Sequence, residues 1–356
     1  MDFTLGETQQ AVIRAAGPVL DRGQPSPAAG DRAPGEALWK ELGQAGLLEL
    51  GGDGLGLMDT AVLLTEVGRR AAPVPALATL AMGALPVIRW GDSRLRRILL
   101  DGVAAGDTLL TAAVREPSDP MPAAPATTVG GGTVSGVKAG VPYGAAARWI
   151  LVPASFASGG TGVAVVDPSA GGVGLRPTPS STGGPECTLH LDRAPVAHLL
   201  GDGADGVMDD LYQLTLAGAA CLADGALAGA LALTTAHLGT RQQFGRPLAA
   251  FQAAAQRIAD VAIASRTLHL AALSACWRLD TGREAGPDLD VAAYWLAEQA
   301  PGALRACHHL HGGTGMDASY PLHRYSALVK DLVRLAGGAD YRLGRLGARL
   351  GAGAGG

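Results

Sequence analysis

At 356 residues with 48% hydrophobic content, the chain carries enough apolar side chain for two or three packed domains, which excludes a disordered body. A net charge of −4, with no lysine or arginine run, offers no basic field to a nucleic-acid backbone and excludes that class of partner. Four widely separated cysteines, Cys187, Cys221, Cys276 and Cys307, show no metal-type pairing, so free thiols in a reducing cytoplasm are expected.

The N-terminus lacks a basic segment followed by an apolar one, so no signal peptide is expected there. Thr4-Leu5-Gly6-Glu7 has the form of a capping box and predicts a helix reaching about Leu20. Gly23 to Gly35 reads as a loop. Apolar residues at three and four spacing then predict helices over Glu36–Leu48, Met58–Arg70, Pro75–Trp90 and Ser93–Gly102, an all-helical first domain over residues 1–107.

From about Thr108 the pattern shortens to β-type runs: Thr108–Val114, Thr133–Lys138, Trp149–Pro153, Gly162–Val166 and Thr188–Leu191. Clusters such as Gly130-Gly131-Gly132 and Pro177 to Pro185 separate them, which predicts a small β-barrel or sandwich over 108–205. Long helices return over Asp209–Arg241, Phe251–Leu279, Leu289–Leu310 and Tyr320–Leu350, a four-helix bundle over 206–350. Residues 351–356 form a tail that is flexible by composition. The fold class is thus α+β multidomain. Leu216 to Ala236 is almost wholly apolar, but Asp224 and the alanine content favour a buried central helix over a membrane span.

Two segments punctuate the last helices. Thr240-Arg241-Gln242-Gln243-Phe244-Gly245-Arg246-Pro247 and Phe251-Gln252 set an arginine and a glutamine around a turn. His308-His309-Leu310-His311-Gly312-Gly313-Thr314-Gly315 opens a glycine turn after a helical run, where backbone can approach a phosphate or sugar closely. The three histidines and His323 invite a metal site, but adjacent histidines on a helix diverge and no carboxylate sits at ligand spacing.

Together the two segments resemble the acyl-CoA dehydrogenase family. The resemblance extends through Leu38-Trp39-Lys40-Glu41-Leu42-Gly43, Gly51-Gly52-Asp53-Gly54-Leu55-Gly56, Leu64-Thr65-Glu66-Val67-Gly68-Arg69, Glu116-Pro117 and Leu191-Asp192-Arg193-Ala194-Pro195-Val196. It implies a helical, a β and a helical domain. It also implies an FAD whose adenine-nucleotide half is gripped, at a subunit interface, by Arg241, Phe244, Gln252, His309, Gly312 and Gly313. The family's usual glutamine at the fourth of these is histidine here.

The family's chemistry needs a carboxylate base on the substrate face opposite the flavin. In most members it lies in a turn before the last helix, where this chain reads Leu335-Ala336-Gly337-Gly338-Ala339-Asp340. In a variant arrangement it lies on the helix before the Arg-x-x-Phe-Gly turn, where this chain reads Leu211-Tyr212-Gln213-Leu214-Thr215. Neither stretch holds a glutamate; Asp209 and Asp210, and Asp340, are the nearest acids, and Asp210 and Asp340 read as solvated helix-end acids favoured by the dipole rather than as substitute bases. Where the family has a flavin-contacting Thr-Glu-Pro, this chain has Arg115-Glu116-Pro117. Where the family has an aromatic and hydroxyl strand, it has Gly140-Val141-Pro142.

Gripping residues kept and a bed lost imply a partner. The pattern looks like the base-lacking subunit of the actinobacterial α2β2 enzymes of steroid side-chain degradation, beside a homologous subunit that carries the glutamate. An acyl-CoA substrate and an electron-transfer flavoprotein as acceptor are implied with it. A second function class stays open: a flavin-free homologue with a binding or non-oxidative biosynthetic role.

Overall fold

The structure, a computed structural model, describes residues 4–22, 33–52 and 54–353. It forms two compact units. One takes its described residues from Met1–Glu36, Ala61–Ala72 and Ala219–Gly356, the other from Ala37–Thr60 and Pro73–Gly218.

Helix α1 (Glu7–Arg22) is preceded by Gly6, whose N–H donates to the Gln9 side chain at 2.7 Å. The reciprocal half of a capping box therefore forms from Gln9, and the expected Thr4–Glu7 box is displaced by two residues. Helix α2 (Ala33–Gln44) begins inside the expected Gly23–Gly35 loop, of which 23–32 lie outside the described residues. Helix α3 (Leu57–Arg69) falls where the periodicity puts it.

Pro75–Trp90 reads as one helix, yet Leu77–Ala84 is wound as π-helix before α4 (Leu85–Trp90). Pro86 explains the change. It has no N–H to donate back into the preceding turn, so the ladder is interrupted at this point. Helix α5 (Ser93–Leu99) is capped by Asp92, which accepts from the Leu95 N–H at 2.6 Å.

The middle region is a mixed sheet of β1 (Leu110–Ala112), β2 (Thr128–Gly130), β3 (Thr133–Pro142), β4 (Trp149–Phe156), β5 (Thr161–Val166), β6 (Val173–Pro177), β7 (Glu186–Pro195) and β8 (His198–Leu200). Its order is β6-β7-β3-β2-β4-β5-β8, with β1 parallel to β4. The alternation in β3 and β7 sends Val134, Val141, Cys187, Leu189 and Leu191 into a core with Ile150, Val152, Ala164 and Val166. Three short strands escaped the sequence reading: β2, β6 and β8. Each has at most five residues, and β6 is exposed or half-buried throughout, so no alternation marks it.

Within the sheet, Glu116 and Lys138 form a buried ion pair. Lys138 Nζ donates to Glu116 Oε1 at 2.8 Å, and the same oxygen accepts from Thr127 N at 2.9 Å and Thr127 Oγ1 at 2.7 Å. The second oxygen accepts from Ala126 N at 2.8 Å. Burial opposes ionisation of Glu116, but the bonds from Lys138 and Thr127 outweigh it and hold the carboxyl below its usual range.

The C-terminal helices are α6 (Val207–Thr240), α7 (Gln252–Asp280), α8 (Gly286–His311), α9 (Leu322–Ala336) and α10 (Ala339–Gly353). The expected single helix Tyr320–Leu350 is two, because Gly337 takes φ 93° and ends α9 with a left-handed cap. Gly351 to Gly353, expected as flexible tail, belong to α10, and 354–356 lie outside the described residues. Helix α6 is apolar enough to cross a membrane, but 78% of its most apolar window is buried inside the molecule. All four cysteines are free and buried.

Where α3 meets α6, glycine sets the spacing. A Cβ on Gly225 would lie 1.9 Å from the Thr65 carbonyl oxygen, and one on Gly68 would lie 2.0 Å from that of Leu222. Gly225→Ala should therefore separate two backbones and cost about 3 kcal/mol or more. Gly239, on the same helix with nothing within 4 Å of a Cβ, should gain about 0.5–1 kcal/mol as alanine. Urea denaturation of both variants checks the pair; equal effects at the two positions would refute the close approach.

Candidate functional site

Helix α6 hands over to a minimal hairpin, β9 (Gln242–Gln243) paired antiparallel with β10 (Arg246–Pro247). Its turn residues Phe244 and Gly245 both take positive φ, 50° and 76°, the type I′ form that matches the twist of a two-residue hairpin. Glycine adopts this freely; phenylalanine does not, so Phe244 is held in a strained conformation. Its ring is 91% exposed and meets Phe251 edge to face at 6.2 Å. The Arg246 guanidinium lies 4.1 Å over the Phe251 ring, and Leu248 N donates to the Arg241 carbonyl at 2.9 Å, which ties both ends of the hairpin down.

Arg241 is exposed and forms no ion pair among the described residues. Gln252 opens α7, whose cap residue Phe251 supplies no side-chain acceptor. The first N–H groups of a 29-residue helix, with their partial positive charge, thus face outward beside Gln252.

At the end of α8, Gly312 adopts φ 58° and ψ −135°, a conformation reserved for glycine. The chain then makes a tight 3₁₀ turn, Gly312–Met316. The histidines expected to cap this turn or face a flavin divide into two sets. His308 braces the turn: its Nδ1 meets the Gly315 carbonyl at 2.8 Å and its Nε2 the Ser326 hydroxyl at 2.7 Å. His311 is buried, bonded through Nδ1 to the Cys307 carbonyl at 2.8 Å and through Nε2 to Tyr320 Oη at 3.0 Å. His309 is exposed. Among the described residues no group of three or more His, Cys, Asp or Glu is placed to hold a metal ion.

Between the hairpin, the start of α7 and the end of α8 lies an open groove of about 590 Å³. It brings together Phe244 and His309; Arg241, Gln252, Gly312 and Gly313 do not line it. All six candidate residues are exposed on this chain. Sequence reasoning missed Gln243 and the α7 residues Gln256, Arg257 and Asp260, which also line the groove. The polar spacing of 256, 257 and 260 on one helical face was the available signal.

Neither residues 335–339 nor residues 211–215 include a glutamate. Ala336 is fully buried at the last turn of α9, and its carbonyl accepts from Arg342 Nε at 2.5 Å. Arg342 is itself buried, 3.5 Å from Asp290, which also binds Arg349 Nε at 2.6 Å. Gly337 provides the left-handed cap. Asp340 is exposed at the start of α10.

Asp210, expected to be a solvated helix-end acid, is instead tied on both oxygens, to Arg89 Nη1 at 2.6 Å and Trp90 Nε1 at 2.8 Å. Burial raises its pKa against the opposing pull of Arg89. In the sheet, Glu116 serves the Lys138 pair, and Ala139 N donates to the Arg115 carbonyl at 3.0 Å. Pro142 offers its carbonyl to Thr111 Oγ1 at 2.7 Å, and burial pushes the Tyr143 phenol up to about 12.

The chain matches family models described as the acyl-CoA dehydrogenase N-terminal domain over residues 7–107 and the acyl-CoA dehydrogenase C-terminal domain over 201–350. It is 44% identical to acyl-CoA dehydrogenase FadE28 of Mycobacterium tuberculosis over 98% of this chain and 99% of that protein. FadE27 of the same organism is 32% identical over 88% of this chain and 87% of its own. Among solved structures, a variant of the Tcur3481–Tcur3483 steroid ACAD superposes with a TM-score of 0.92 at 33% identity, covering 99% of this chain and 100% of that one. The ChsE4–ChsE5 complex of Mycobacterium tuberculosis gives 0.89 at 30% identity over 99% of both. On the matched domains and these full-length likenesses, the chain belongs to the acyl-CoA dehydrogenase family.

Proposed function

We propose that this chain is one subunit of a heteromeric FAD-dependent acyl-CoA dehydrogenase of α2β2 form, acting on a bulky steroid side-chain CoA thioester. On this reading it lends Arg241, Phe244, Gln252, His309, Gly312 and Gly313 to a flavin at the subunit interface. A homologous partner supplies the glutamate base, and an electron-transfer flavoprotein in the cytoplasm takes the electrons.

The observation that carries the reading is the exposure of all six residues. An arginine fork, an uncapped helix N-terminus and a glycine turn suit a dinucleotide's phosphates and sugars. Left exposed on this chain's surface, they suit a dinucleotide shared with a second surface. An apolar ring left 91% exposed in a strained turn fits the same use, since burying it against another subunit would repay the strain. The two heteromeric solved relatives support the assembly, and the steroid designation of the Tcur3481–Tcur3483 enzyme supports the substrate class.

FAD, when bound, accepts the hydride from the substrate's β-carbon. This chain's part is to hold and orient. Its own α9 terminus cannot take the α-proton, because Ala336 and Gly337 carry no acceptor side chain and Arg342 occupies the Ala336 carbonyl.

Anaerobic mixing with steroid-CoA thioesters tests this. The complex with the glutamate-bearing homologue should bleach, and a Glu→Gln substitution at the homologue's base should abolish bleaching while the complex stays yellow. Bleaching of this chain alone would contradict the assignment of the base to the partner. A complex that stays colourless would favour the flavin-free reading.

A further inference from the structure

His237 and His311 stack face to face, with ring centroids 4.4 Å apart and planes 26° apart. His237 lies in the last turn of α6, and its carbonyl accepts from Arg241 N at 2.9 Å. His311 is the last residue of α8 and abuts Gly312. The stack therefore joins the root of the Arg241 turn directly to the root of the Gly312–Gly313 turn. The sequence places these roots more than seventy residues apart.

The hydrogen bonds fix the form of the joint. A carbonyl only accepts, so His311 donates from Nδ1 to Cys307, which leaves Nε2 as the acceptor for the Tyr320 hydroxyl. A proton added at Nε2 would oppose that bond and place a cation against the neighbouring ring. The groups facing the pair are Arg241 just beyond α6, His308 and Cys307 on α8, and Tyr320 in the connection to α9. Burial is the main influence on both rings and favours their neutral forms. Arg241 acts the same way on His237, as do His237 and His308 on His311.

We infer that the His237–His311 stack is a positioning device which holds the Arg241 turn and the Gly312–Gly313 turn in register only while both rings are neutral. Its consequence for flavin rests on the proposed function; its consequence for the two turns does not. The sign follows from linkage: a ring that favours the neutral form when folded contributes fully above its unfolded pKa. The contribution falls away as pH drops through the histidine range, by up to about tenfold per pH unit for each proton taken up.

Hydrogen exchange on the full chain, corrected for intrinsic rates, tests the joint without any ligand. Between about pH 7.5 and pH 5.5, exchange in segments 241–247 and 312–316 should rise together, while the β3–β7 pair should not change. His237→Phe keeps an aromatic ring and removes one titration, so it should flatten the rise in both segments; His311→Phe should do the same while losing the Tyr320 bond. Independent rises, or a rise in His237→Phe as steep as in the parent, would overturn the inference. Flavin retained by the complex should follow the same profile. Coupled turns with pH-independent flavin retention would leave the joint standing and count against the proposed site.

Discussion

Arg241→Ala is expected to strip most of the FAD from the assembled complex while leaving this chain's melting temperature within a degree or two of the parent, since surface changes cost within about 0.5 kcal/mol. The two readouts separate because the side chain is exposed and enters no ion pair among the described residues, so folding has little to lose. A charge-assisted bond to phosphate contributes about 1.5–3 kcal/mol, which corresponds to roughly a ten- to hundredfold loss of affinity. Arg241→Lys should fall between, because the ammonium keeps the charge and loses the two-pronged geometry. Flavin absorbance per subunit after gel filtration measures the effect. Full flavin content in Arg241→Ala would remove Arg241 from the site.

The second large effect concerns the sheet. Lys138→Met should destabilise the chain by about 3–5 kcal/mol, because it strands the Glu116 carboxylate in the interior without its cation. Lys138 is wholly buried and Glu116 is 5% exposed, so water cannot substitute. The paired change Lys138→Met with Glu116→Gln should recover part of the loss, since the amide oxygen still accepts from Thr127 N and Oγ1 and no charge is stranded, while the Ala126 N–H loses the acceptor it had in the second carboxylate oxygen. The pH dependence has a definite sign. A carboxyl held below its usual range contributes stability above its unfolded pKa, near 4.5, and loses that contribution as pH falls through the lower folded value. The parent should therefore lose stability progressively as pH falls from about 4.5 to that lower value, a loss absent from the double variant. Guanidinium titrations at several pH values would show it. A Lys138→Met chain as stable as the parent would contradict the account of the pair.

Periodicity located most helices to within a few residues, because α3, α7 and α8 have apolar positions at helical spacing and α6 is a long, largely apolar run buried over most of its length. It failed where backbone chemistry overrides pattern. Pro86 interrupts the ladder ahead of α4, and the Gly337 cap splits α9 from α10 although apolar spacing runs through both. Strands as short as β8 carry too few residues for alternation to show.

The site was legible in its turn chemistry: the residues flanking Phe244-Gly245 and the Gly312-Gly313 pair announce where backbone bends. What they contact was not. The roles of His308 and His311 as braces depend on Ser326 and Tyr320, which no spacing rule links to them. The same is true of Asp210, whose partners Arg89 and Trp90 lie more than a hundred residues away. That position 336 bears no carboxylate could be read directly, whereas Arg342 at its carbonyl could not.

The measurement closest to the central claim is flavin stoichiometry in the native complex. This chain would be expressed alone and together with a homologue that carries the glutamate base, then weighed by native mass spectrometry beside its flavin absorbance. A colourless chain alone and a yellow heterotetramer with one FAD per pair of unlike subunits are the expected results. A homotetramer of this chain with one FAD in every subunit would contradict the shared site.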